Sequence, residues 1–185
     1  MKSKLSGSKL LIAEPFMEDV FFKRSVVLLC ENSKHSTFGF ILNKKLDLKL
    51  NELVYSFPKF DCPVYYGGPV QNDTLHFIHT LGEVLDESHL IGNGLYWGGN
   101  YKQLKALVKE GLVSTTDIKF FVGYSGWDQQ QFKEELKKGN WIVEEVDPNY
   151  VFSTKDDILW KEVLQNKGNN YAIISELPDH RSLLN

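Results

Sequence analysis

Short apolar runs, dense in β-branched and aromatic residues, crowd the N-terminal half of the chain and set its fold class. They are KLLIA (Lys9–Ala13), SVVLLC (Ser25–Cys30), TFGFIL (Thr37–Leu42), VYY (Val64–Tyr66) and TLHFIH (Thr74–His79). Runs this short, bounded by polar turn residues, predict strands rather than helices. The polar loop ENSKHS between the second and third predicts a hairpin, which makes those strands antiparallel neighbours. A short helix is expected over Asn51–Phe57, ending before Pro58.

The C-terminal half alternates. Tyr101, Leu104, Leu107 and Val108 share one helical face, with Asn100 placed to cap the helix start and Gly111 to stop it. A strand IKFFVGY follows, then a helix over Asp128–Lys138 ended by Gly139, then a strand WIVEEV. A last helix, Asp156–Gln165, is expected to bury Ile158, Leu159, Val163 and Trp160, and YAIISEL reads as a further strand. Strands come first and helices later, which predicts an α+β fold rather than a doubly wound parallel sheet. No repeat, low-complexity tract or linker divides the chain. A single domain over residues 1–185 is expected, with short mobile ends at about 1–7 and 178–185.

Charge decides which partners to expect. Lys and Arg number 21 against 24 Asp and Glu, a net charge of −3. The lysine pairs Lys44-Lys45 and Lys137-Lys138 are isolated, and no helix-turn-helix, zinc or RRM pattern occurs. Both facts argue against direct nucleic-acid binding. The cysteines Cys30 and Cys62 form no CxxC and are too few for a disulfide framework. The longest apolar run near the N-terminus, LLIA, is too short for a signal-peptide core, and no run reaches the ~18 residues of a membrane span. A cytoplasmic protein with reduced thiols, away from membranes, is expected.

Gly123-Tyr124-Ser125-Gly126-Trp127 raises the question of a nucleophile. A nucleophile elbow needs small residues two before and two after its serine. Gly123 meets the first condition, but Trp127 fails the second. The one histidine that follows, His180, lies near the C-terminus. The architectural reading is stronger: Ser125 stands three residues before Asp128, in capping-box spacing, with Gly123 and Gly126 turning the backbone and Trp127 filling the core.

The same stretch, GYSGWDQQQFKEEL, resembles the G-Y-A-G-W-x-x-x-Q-L-E-x-E-L motif of the YqgE/AlgH family, also called UPF0301 or DUF179. LLIAEPFMEDVFFKRSVVLL resembles the family's opening L-I-A-x-P-x-x-x-D-x-x-F-x-R-S-V. FGFILN matches its G-x-x-x-N, and YYGGPVQNDTLHFIH its G-G-P-V with a following strand that ends in His. Trp160 and Gly168 fall where the family has W and G. The family usually has Ala where Ser125 stands, Leu at Phe132 and Glu at Lys133, and many members carry His where Asn32 stands. The resemblance implies an α+β fold on a mixed, bifurcated sheet curled into a pseudo-barrel, with helices outside. It implies no known enzymatic activity, and a label of transcriptional regulator without a recognised DNA-binding module.

Other constellations give candidate sites. Gly67 and Gly68 could form an anion nest, but Pro69 lacks an N–H and a strand follows, so a tight turn at the barrel edge is the stronger reading. WGGN before the helix at Tyr101 offers amides to an anion, with a loop and N-cap as the alternative. His76 and His79, three apart on a strand, point to opposite faces and lack a supporting Cys/His cluster, which argues against a metal. His79 reads as a hydrogen-bonded, semi-buried histidine. Asp19, Arg24 and Asn43 bracket strand ends. A buried Asp19–Arg24 bond fixing the loops is the first reading, and a polar pocket with Gln131 and Glu135 is the second. No catalytic residue, metal or cofactor is assigned. The leading reading is a non-enzymatic binding or regulatory module with a protein or small-molecule partner. The alternatives are a small-molecule-binding protein or enzyme using that pocket, and a direct DNA binder.

Overall fold

A computed structural model describes residues 8–32 and 36–177. The ends expected to be mobile, and His180, lie outside the described residues.

The strands are β1 (Lys9–Ala13), β2 (Val26–Asn32), β3 (Ser36–Ile41), β4 (Lys45–Lys49), β5 (Pro63–Tyr66), β6 (Val70–His79), β7 (His89–Gly92), β8 (Leu95–Trp97), β9 (Ile118–Asp128) and β10 (Trp141–Glu145). The helices are α1 (Leu50–Leu53), α2 (Tyr101–Lys109), α3 (Gln129–Lys137), α4 (Pro148–Val151), α5 (Asp156–Gln165) and α6 (Asn169–Ser175). The main sheet runs β10-β1-β2-β3-β9-β6-β8-β7, and β5 joins β9 from the side, with β4 paired to β5. Neighbours are antiparallel except β5 and β9, which are parallel. The expected β2–β3 hairpin is present.

Continuous apolar runs here mean strands covered on both faces. On β1, Leu10 and Ile12 enter one core cluster, built around α5. Leu11 and Ala13 enter another, with Trp127, Phe132 and Trp141. A third cluster gathers Leu50, Phe57, Phe77, Leu104, Val108 and Phe120 beneath α2. The Trp160 indole of α5 donates to the Ala13 carbonyl at 2.8 Å, which ties that helix to β1.

β9 organises the sheet. Its Val122 pairs with Tyr66 of β5 and also with Leu75 of β6. Two partners at one residue must occupy opposite edges, so the chain between β5 and β6 has to cross β9. It crosses at Gly67-Gly68. Beyond that point β3 takes over the edge that β5 leaves, pairing Gly39 with Ser125 and Thr37 with Trp127. The sheet therefore forks at Gly67. It also curls. Ser8 Oγ donates to Ile91 O at 3.2 Å and Asn93 Nδ2 to Val146 O at 3.0 Å, so the β7 end of the sheet returns to the β1–β10 end. The result is the expected mixed α+β half-barrel with helices outside.

Several local expectations are corrected. GYSGW is not a turn: it continues β9, an 11-residue strand. Ser125 does not cap α3. Asp128 does, accepting from the amides of Gln130 and Gln131. YAIISEL forms helix α6, packed on α5, because a short apolar run does not distinguish strand from helix until its packing partner is known. The helix expected over Asn51–Phe57 is the single turn α1. Asn51 then holds a loop closed through the carbonyls of Phe57 and Pro58 and the amide of Phe60. Ile158 is exposed rather than buried. The cap at Asn100 is present, its side chain accepting from the Gln103 amide. Among the described residues, no helix is long and apolar enough to cross a membrane.

Candidate functional site

At the fork, two backbones approach so closely that only glycine fits. A Cβ on Gly67 would lie 2.3 Å from the Gly123 carbonyl oxygen, and one on Gly68 would lie 2.3 Å from the Tyr124 carbonyl carbon. Gly123 also has φ of 67°, in the left-handed region. Gly126 has no such φ, and a Cβ there would meet only side chains, the Tyr124 ring and Val70, so it does not turn the chain. The Gly67 amide donates to Val122 O, and its carbonyl accepts from the Ile41 amide. Gly67 is thus committed to the sheet rather than to an anion.

Asp19, Arg24 and Asn43 serve the loop before β2, without the expected Asp19–Arg24 bond. Asp19 is exposed and accepts from the amides of Phe21 and Phe22. Its cationic neighbour is Lys44, which donates to Phe21 O at 2.5 Å. Burial lowers the Lys44 pKa, and Asp19 partly offsets this. Arg24 instead lies over the Trp160 ring, 5.0 Å from its centroid, and donates to Leu177 O. Asn43 clips the loop shut, accepting from the Val26 amide and donating to Arg24 O, each at 2.9 Å.

Gln131 and Glu135 belong to a different device. Glu135 Oε2 accepts from the indole N–H of Trp127 at 3.0 Å and of Trp141 at 2.7 Å, and Gln131 donates to the other carboxylate oxygen. Phe22 stacks on Trp127 and meets Trp141 edge-on. Trp127 is buried and anchors α3 to the sheet, as expected, although it belongs to β9 and not to the helix. His79 is fully buried. It accepts the Leu81 amide at Nδ1 and so donates from Nε2 to Gly98 O at 2.7 Å, and burial lowers its pKa.

Among the described residues a cavity lies elsewhere, and of its lining the sequence raises only His76, as a metal ligand argued against, and Tyr124, within the GYSGW stretch. This solvent-open cavity of about 300 Å³ is lined by Ser36, Thr37, Phe38 and Phe40 of β3, His76 of β6, Trp97 of β8 and Tyr124 of β9. An adjoining chamber of about 250 Å³ shares Phe38 and Trp97 and adds Cys30, Glu31 and His89. Among the described residues, no lysine or arginine lines either chamber. The register explains the convergence. Strand periodicity puts Phe38 and Phe40 on one face of β3, and Phe38 pairs with Gly126, two residues beyond Tyr124. Ile78 of β6 pairs with Trp97.

His76 is hydrogen-bonded and held toward its neutral form. The Thr74 hydroxyl donates to Gln71 O at 2.7 Å, so its oxygen accepts from His76 Nε2–H at 2.8 Å. Burial lowers the His76 pKa, which favours the neutral ring. Between Val70 and Leu75 the β6–β9 register slips, and Gln71 has φ of 49°. Such bulges re-aim the side chains beside them. Among the described residues, no three His, Cys, Asp or Glu side chains gather as a metal site.

Relatives share most of this chain. A UPF0301 protein of Chlorobaculum parvum is 37% identical over 175 residues, which span 95% of this chain and 94% of that protein. One from Parabacteroides distasonis is 39% identical over 176 residues, 94% of this chain and 88% of that protein. In solved structures, the fold is similar to that of AlgH from Pseudomonas aeruginosa, with TM-score 0.75, 24% identity and coverage of 97% of this chain and 99% of that one. It is also similar to protein DIP2367 from Corynebacterium diphtheriae, with TM-score 0.76, 22% identity and coverage of 96% and 95%. With DUF179, AlgH-like, matching residues 10–172, the chain belongs to the AlgH-like family.

Proposed function

We propose that this protein is a non-enzymatic binding module whose aromatic cavity takes a small molecule, and that any regulatory output follows from occupancy of that cavity. The observation that carries the reading is the cavity itself: an apolar wall of aromatic rings with a few polar groups, His76, Tyr124, Ser36 and Thr37, at its border. Small-molecule sites have this composition, and about 300 Å³ falls at the small end of their usual range. Binding is favoured over catalysis because Ser125 is fully buried and its hydroxyl is engaged, while His76 donates to Thr74. An influence on transcription would pass through a protein partner, since a net charge of −3 gives little attraction to phosphate.

A ligand-observed NMR screen of small organic compounds against the full chain tests this. Hits are expected to be displaced or weakened by Phe38→Ala and Tyr124→Leu in variants with unchanged amide dispersion. Hits that bind these folded variants as well as the parent would overturn the assignment of the cavity.

A further inference from the structure

We infer that the aromatic cavity is a box for a small alkylammonium group, with Glu31 in the adjoining chamber as its counter-charge. This rests on the binding reading above and names its ligand class. A site for a flat ring is a slot with two parallel walls. The ring pairs that line this cavity instead stand steeply to one another: Phe38 to Phe40 at 86°, Phe38 to Tyr124 at 80°, His76 to Tyr124 at 82° and Phe38 to Trp97 at 65°. Only Phe40 and His76 are closer to parallel, at 43°. Walls at right angles enclose a compact, rounded group. Quaternary and tertiary ammonium groups have that shape, and aromatic faces attract them through their negative quadrupole.

Charge favours a cation as well. Among the described residues, no lysine or arginine lines either chamber. His76 is held toward its neutral form by burial, so it does not place a competing cation in the box. Among the described residues, the one carboxylate in the lining is that of Glu31, in the adjoining chamber, which shares Phe38 and Trp97 with the cavity. An anionic ligand would meet that carboxylate and the ring faces with no lysine or arginine among the described lining residues. A cation meets complementary potential from both.

The test uses the full chain labelled with 5-fluorotryptophan. Of the four tryptophans, Trp97 alone lines the cavity, whereas Trp127, Trp141 and Trp160 are buried in the core. Its fluorine resonance is assigned by its loss in Trp97→Phe. The probes are choline, its neutral carbon isostere 3,3-dimethylbutan-1-ol, and indole as a flat neutral ring. Choline is expected to shift the Trp97 resonance and to bind at least about fivefold tighter than the alcohol, the difference that a partly exposed cation–π contact supplies. Glu31 is exposed, so Glu31→Gln should fold normally and weaken choline while leaving the alcohol unchanged. Equal binding of choline and the alcohol, or tighter binding of indole, overturns the ammonium assignment and leaves the cavity as a binding site. Unchanged choline affinity in Glu31→Gln overturns the counter-charge. No response of Trp97 to any probe overturns this inference, and the NMR screen then decides separately whether the cavity binds anything.

Discussion

The Ser125 hydroxyl donates a 2.9 Å hydrogen bond to the carbonyl oxygen of Gly67, 58 residues away in sequence, at the point where the sheet forks. That carbonyl already accepts the Ile41 amide, so the hydroxyl is a second clip on an occupied acceptor. Ser125→Ala should therefore keep the fold and lose about 1 kcal/mol, the net value of an ordinary hydrogen bond. Urea denaturation measures the loss. A fluorophosphonate probe is expected to leave the parent unlabelled, because the hydroxyl is fully buried. Stoichiometric labelling at Ser125 would show that the fork opens and that the serine is a nucleophile after all.

The glycines at the crossing should tolerate nothing larger. Gly67→Ala would drive a methyl group to 2.3 Å from Gly123 O and 3.0 Å from Phe40, and both neighbours are packed. A loss of at least about 3 kcal/mol is expected, the upper range of core overpacking. Gly94→Ala is the control. Its Cβ would meet nothing within 4 Å, so only the φ of 75° opposes it. That costs about 1–2 kcal/mol. Comparable losses for the two variants would mean that backbone conformation, not the crossing, selects glycine at Gly67.

The indole pair on Glu135 yields a graded series. Trp127→Ala removes a side chain left only 4% exposed and should cost about 3–5 kcal/mol. Glu135→Ala leaves the Trp127 and Trp141 N–H groups without their acceptor and should cost about 2–3 kcal/mol. Gln131→Ala removes an exposed partner of the carboxylate and should stay within about 0.5 kcal/mol. Chemical denaturation of the three variants gives the order. A Trp127→Ala protein as stable as the parent would contradict the anchor role.

These residues also show how much of the fold could be read from the sequence. Periodicity found β1, β2, β3, β5, β6, β10, α2, α3 and α5 and the first part of β9, because each repeats at 2.0 or 3.6 residues against a single core face or fills both faces. It misread GYSGW, since glycines spaced for a close backbone crossing look the same in sequence as glycines spaced for a turn. The crossing is visible only once Val122 is known to have partners on both edges. The cavity was illegible for a related reason. Its walls come from separate strands, and a shift of one residue in any register would send Phe38, His76 or Tyr124 to the other face. One missed signal was present. Asn93-Gly94 between apolar residues marks the β7–β8 hairpin that brings Trp97 to the site, with φ of 52° and 75° as a primed turn requires. Arg24 and Asn43 lie beside strand ends and Asp19 in the middle of the loop between β1 and β2, and sequence could not show that Asn43 bonds the backbone at Arg24 while the guanidinium turns to Trp160.

A last prediction concerns a cluster that lines neither chamber. Lys119 is only 4% exposed, with its ammonium 3.8 Å from Asp156 Oδ1, 3.8 Å from the centroid of the Tyr65 ring and donating to Ser153 O at 3.3 Å. Burial outweighs the attraction of Asp156 and pulls the Lys119 pKa from 10.5 down to about 8. The unfolded chain therefore holds this proton up to about pH 10.5, while the fold releases it near 8. Between those values the unfolded state binds more protons, so stability rises with pH. The Lys119 contribution is fully present above the unfolded pKa and is lost as pH falls through about 8. Tyr65 opposes this at higher pH, because burial and Asp156 push its pKa up, and stability from that shift is lost once the unfolded tyrosine ionises. Lys119→Met removes the titration and keeps the length of the side chain. Burial also raises the Cys30 and Cys62 thiols above 9.0, which lowers stability as the unfolded thiols ionise, in parent and variant alike. The difference between the two proteins is therefore what reads Lys119 across about pH 7.5 to 9.5, below the usual tyrosine range. Across that window the parent should gain about 2 kcal/mol on Lys119→Met in urea denaturation. Whatever the variant loses by leaving Asp156 without its ammonium is an offset between the curves, and the slope is what matters. Parallel curves would show that Lys119 stays protonated in the fold, with Asp156 a stronger partner than its 3.8 Å separation indicates.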